Sequence, residues 1–138
     1  MKKQVTGMLI LVFLLISTTG CIQVEMAAKE AGNYFFTGES EHWHAIYTVS
    51  DIKGNYYDSI YLQYTGDGKV SDATYHLKGK FVTASNRITL DGEKNSYQDS
   101  SRWQEKVKSF EPSHKEKLEL TMKWNGEEEN IVLSLEQD

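Results

Sequence analysis

His42 and His44 stand two residues apart. On an extended strand that spacing turns two imidazoles to the same side, as two ligands of one metal must be, and His76 could supply a third. Nothing else in the spacing of histidines and acids demands a metal, and none is expected, nor any other cofactor. Carboxylates are plentiful: Glu39, Glu41, Asp58, Asp67, Asp72, Asp91, Asp99 and the run Glu127 to Glu129. A glycoside hydrolase needs two of them placed across a cleft. Most of these lie in turns, and the Glu127 to Glu129 run reads as a solubilising start to the last strand. Asp67-Gly68 and Asp91-Gly92 lack the repeating oxygen ligands of a calcium loop. There is no Gly-x-Ser-x-Gly nucleophile elbow and no phosphate-binding glycine loop. The expectation is a protein that is not an enzyme. Tyr57 and Tyr61 are the better candidates for function. They alternate onto the strand face opposite Ile60 and Leu62, where exposed rings could bind a glycan or a protein at little entropic cost.

Cys21 is the one cysteine in the chain. Ahead of it lie Lys2 and Lys3, an apolar stretch from Val5 to Ile16, and the small residues Ser17, Thr18, Thr19 and Gly20. As a helix the apolar stretch would span roughly 18 Å at about 1.5 Å per residue. A bilayer core needs about 30 Å, so the segment suits a signal-peptide helix and not a transmembrane one. This N-terminus resembles the signal peptide and lipobox of bacterial lipoproteins, with Thr18 where that family usually has Leu. The resemblance implies cleavage between Gly20 and Cys21, a diacylglycerol on the Cys21 thiol, and acylation of the new amine as a further step. Residues 1–20 are then a signal peptide, 21–41 a lipidated tether and 42–138 a β domain. The domain would be held by lipid on the extracytoplasmic face of the cell membrane. Two acyl chains suffice for stable attachment where one is marginal.

Charge narrows the partners. Without Lys2 and Lys3 the basic residues fall from 15 to 13 against 20 acidic ones, a net charge of −7. Phosphates would repel such a surface, so nucleic acid is not an expected partner. Nor is a polybasic grip on anionic lipid, which leaves the acyl chains on Cys21 to do the anchoring. An envelope protein or wall polymer remains as the class of partner.

The elements that must position these residues are strands. Glu25 to Ala31 contains good helix formers, ended by Gly32 and Asn33. Tyr34, Phe35 and Phe36 then either dip into lipid headgroups or cover one end of the domain. From His42 the period is two: Trp43, Ala45, Tyr47 and Val49 alternate with polar residues. Strands follow over Tyr56 to Tyr64 and Val70 to Leu77, with shorter ones at Phe81 to Thr83 and Arg87 to Leu90. Residues 93–113 are polar. Trp103, Val107 and Phe110, spaced i, i+4, i+7 behind a Ser100 or Ser101 cap, suggest a short helix before Pro112. The strongest local signal is the last. Leu118, Leu120, Met122 and Trp124 alternate strictly, and Asn125-Gly126 supplies a type I′ turn. The turn sets Trp124 against Glu127, Met122 against Glu129, Leu120 against Ile131 and Leu118 against Leu133, with Lys123 against Glu128 on the outer face. About seven strands predict an all-β antiparallel sandwich, an immunoglobulin-like arrangement being one form and a small barrel the alternative. The opening strand from Trp43 to Tyr47 and the closing Trp124 to Glu128 hairpin resemble those of small lipoproteins of Gram-positive bacteria. That resemblance implies a fold and a location and no catalytic residue.

Overall fold

The computed structural model describes residues 32–104 and 110–137. Gly20, Cys21 and the helix expected over Glu25 to Ala31 lie outside the described residues. Eight strands follow one another: β1 (Asn33–Glu39), β2 (Trp43–Ile52), β3 (Asn55–Tyr64), β4 (Asp72–Lys78), β5 (Thr83–Thr89), β6 (Ser96–Arg102), β7 (Lys117–Trp124) and β8 (Glu127–Leu135). All belong to one sheet in the order β5-β4-β7-β8-β1-β2-β3-β6. Every pairing with a defined register is antiparallel.

The all-β antiparallel expectation holds, but the arrangement is not a sandwich of two sheets. Three long-range pairings weld the hairpins into one continuous surface: β3 with β6, β4 with β7, and β1 with β8. The sheet curls until its ends approach. Tyr75 on β4 and Tyr97 on β6 have ring centroids 6.5 Å apart, although β4 is second from one end of the strand order and β6 is the other end. Eight strands is the size at which a closing sheet leaves an interior that side chains just fill. That interior is occupied by Phe36, Trp43, Leu62, Leu77, Leu118, Leu120, Met122 and Leu133, all fully buried.

The β7–β8 hairpin forms in the expected register, Met122 opposite Glu129 and Leu120 opposite Ile131. Asn125 and Gly126 have φ of 46° and 77°, as a type I′ turn requires. Lys123 Nζ stands 3.5 Å from Glu128 Oε2 on the outer face.

Three local expectations need correction. The segment 21–41, read as a tether, contributes strand β1, so the sheet starts at Asn33 and not at residue 42. Its Phe36 is fully buried, while Tyr34 meets the Phe110 ring edge-on at 5.3 Å and Phe35 is exposed. The physical reason is that β8 needs a second neighbour, and β1 supplies it. Next, Ser100 and Ser101 are strand residues of β6 and cap no helix. Trp103 and Phe110 do meet, edge-to-face at 5.5 Å, and both lie against Tyr56. Val107 lies outside the described residues. Finally, the two short strands expected around residues 81–90 are a single strand, β5.

Candidate functional site

Two clusters of polar groups sit on the inner side of the sheet, one at its mouth and one at its seam. The mouth cluster is built by the turn between β1 and β2 and by the start of β8. Because Met122 is fully buried and Glu129 is its direct partner, the register puts the Glu129 carboxylate on the interior side. The turn residues fold over it. Ser40 Oγ donates to Glu129 Oε1 at 2.6 Å, and the His42 backbone N–H donates to the same oxygen at 3.0 Å. His42 Nδ1 meets the other oxygen, Oε2, at 2.5 Å. The turn itself is closed by Ser40 N–H to the Trp43 carbonyl.

Aromatic rings hold the imidazole in place. His42 stacks on Tyr64 with centroids 6.1 Å apart and lies 5.9 Å from the Trp124 ring. Trp43 packs edge-on against both Tyr64 and Trp124. Gly66 closes the other approach: a Cβ there would stand 2.7 Å from His42 Cδ2, so a side chain at this position would displace the ring. The Trp43 indole N–H is buried without a hydrogen-bond partner among the described residues.

The electrostatics follow from this geometry. The hydrogen bond to Glu129 raises the His42 pKa above its usual 6.5. Burial opposes this, and the negative charges of Glu129, Glu41 and Glu127 reinforce it. Burial works against ionisation of Glu129, but hydrogen bonds from Ser40 and His42 and the His42 charge outweigh it, leaving the carboxyl below its usual range. The pair is thus a hydrogen-bonded imidazole–carboxylate latch between the β1–β2 turn and β8, in which each partner favours the other's charged form. It is not a nucleophile relay, because the Ser40 hydroxyl donates to the carboxylate and not to the imidazole.

The seam cluster lies where β6 faces β4 and β5. Asp58 pairs with inward-facing Val49 on one side and with Ser101 on the other. Tyr47 Oη donates to Asp58 Oδ2 at 2.7 Å, and Ser101 Oγ donates to Oδ1. With Tyr75, Asp99 and Ser100 these groups line a cavity of about 80 Å³. Burial first, then the hydrogen bond and charge of Asp58, push the Tyr47 hydroxyl far above its usual pKa. Tyr75 is raised mainly by burial, with the charges of Asp99 and Asp58 adding to that of Tyr97. Two carboxylates therefore do share a hollow, as hydrolysis would need, but the space is far below the roughly 300 Å³ at which small-molecule sites begin.

The residues singled out from the sequence fall as follows. His42 and His44 do not act together. His42 is captured by Glu129, whereas His44 on β2 pairs opposite Gln63, and His76 contacts Ser85. Tyr57 is exposed and Tyr61 half-buried, both on the outer face of β3 as expected. The residue that sequence reasoning missed is Glu129, taken as one of three solubilising acids. The signal was there: a two-residue turn placing Glu129 opposite Met122 sends its side chain to the apolar face. Comparison with protein-family models, curated proteins and solved structures found no match to the chain.

Proposed function

We propose that the chain is a membrane-anchored extracytoplasmic lipoprotein whose β domain is a non-enzymatic binding module of the cell envelope. What supports this most directly is the outer face of β3. The interior is filled by side chains, so recognition falls to the surface, and there Tyr57 and Tyr61 stand on one outward face between β2 and β6. The sequence at Ser17 to Cys21 supports the anchor, with lipid on the Cys21 thiol after cleavage at Gly20. The partner fitting such a face is an envelope protein or a wall polymer.

In-cell crosslinking followed by mass spectrometry tests the binding reading. One partner should be captured above a lipid-anchored control domain, and capture should weaken with Tyr57→Ala and Tyr61→Ala. Capture that ignores both substitutions would overturn it. Fractionation tests the anchor: Cys21→Ser should release the protein or leave it unprocessed, and a processed variant still on the membrane would refute lipidation there. A second reading, a small envelope hydrolase using carboxylates, draws on Asp58 and Asp99 sharing the seam cavity. Its mark would be glycan cleavage lost with Asp99→Asn.

A further inference from the structure

We propose that Glu41, His42 and Glu129 form a site for one divalent transition-metal ion that accepts mixed nitrogen and oxygen ligands, with zinc as the probe. The site uses neither the His42–His44 pair nor the Tyr57–Tyr61 face, so it stands or falls independently of the binding reading.

Each of the three residues offers one ligand atom, and these atoms lie within 4.8 Å of one another. They come from separate places, the β1–β2 turn and the start of strand β8, and converge at the mouth. Zinc holds imidazole nitrogen and carboxylate oxygen at about 2.0–2.2 Å, so ligand atoms on one ion stand roughly 3–3.5 Å apart. His42 Nδ1 and Glu129 Oε2, now 2.5 Å apart, need only part slightly to admit an ion in place of the proton they share. Glu41 is exposed on the turn, with a carboxylate oxygen inside the same 4.8 Å group.

Two features distinguish this from a chance gathering of surface acids. The donors are already oriented by a surrounding shell. Ser40 Oγ and the His42 N–H both bind Glu129 Oε1, which leaves Oε2 turned toward the imidazole, and ligating carboxylates are characteristically fixed in this way. The imidazole is itself clamped between Tyr64 and Gly66, so little ordering remains to be done on binding. The donor set also selects a class of ion. One imidazole and two carboxylates suit zinc and its first-row neighbours, whereas magnesium and calcium prefer all-oxygen surroundings. Three protein ligands leave a fourth position open to water or to a group on a partner.

The test uses the full chain, stripped with chelator and titrated with zinc chloride in calorimetry, with bound metal counted after dialysis. One equivalent of zinc is expected, with a rise in melting temperature that chelator reverses, and magnesium chloride should produce neither. Glu41→Gln should weaken zinc binding by about tenfold or more. Its metal-free melting should fall only slightly, because Glu41 lends charge to His42 but makes none of the Ser40–His42–Glu129 hydrogen bonds. His44→Ala and His76→Ala should bind as the parent does. Absence of stoichiometric zinc, binding indifferent to Glu41→Gln, or binding lost with His44→Ala would each overturn the proposal.

Discussion

The mouth and the seam solve one problem in two ways. Each places a half-buried carboxylate on the interior side of the sheet, Glu129 at one and Asp58 at the other, and each must satisfy it where water has only partial access. At the mouth the partner is an imidazole able to carry charge, backed by a hydroxyl and a backbone N–H. At the seam the partners are two neutral hydroxyls, from Tyr47 and Ser101. The two regions therefore respond to different conditions. A charge matched by another titratable group ties local stability to pH and invites a competing cation. A charge held by hydroxyls does neither near neutrality, and it raises the tyrosine pKa instead.

The comparison breaks most visibly if the mouth's packing is removed. Trp124 touches His42, Trp43 and Tyr64 and is almost fully buried, so Trp124→Ala should cost about 3–5 kcal/mol in urea unfolding. A loss below about 1 kcal/mol would mean that the rings do not support the latch. Next comes Glu129→Gln, which keeps the shape and removes the charge. The His42 pKa, followed by NMR of its ring protons, should fall back toward 6.5 or below. The pH profile carries the sign. The raised His42 contributes stability below pH 6.5 that is lost as pH climbs through its folded-state pKa. The lowered Glu129 contributes stability above pH 4.5 that is lost as pH falls through its own. Thermal melting should therefore show the latch strongest between about pH 4.5 and 6.5 in the parent and flattened in Glu129→Gln. At the seam, Tyr47→Phe deletes one hydrogen bond and should cost about 1 kcal/mol, equally at pH 5 and pH 8. A pH-dependent loss there would erase the distinction between the two regions. The smallest effect belongs to the same hairpin's outer face. Lys123 and Glu128 are both more than half exposed, and Lys123→Ala should change stability by less than about 0.5 kcal/mol.

Legibility in the sequence tracked the locality of the cause. The β7–β8 hairpin was readable to the residue because turn and alternation agree within sixteen positions of chain. Strand β6 was not, because its inward residues Tyr97, Asp99 and Ser101 face a polar seam and its outward ones face water, so Ser96 to Arg102 shows no alternation of apolar and polar. β1 was hidden for another reason. Only Phe36 in it is fully buried, and its place beside β8 depends on a pairing about a hundred residues away. Of the mouth site, His42 was visible as a candidate ligand but was matched to the wrong neighbour. Its true partner, Glu129, looked like surface charge until its register was followed across the turn.

The position of β1 carries a mechanical consequence. The first strand of the sheet sits inside it, flanked by β8 and β2, and not at an edge. A pull applied at the N-terminal end of β1 is resisted by hydrogen bonds on both sides at once, where an edge strand would peel away one bond at a time. The same placement delays closure. β1 can complete its pairing only after β8 has been made, so a chain emerging N-terminus first must be finished through β8 before the sheet becomes continuous, the slow non-local step expected of such topology.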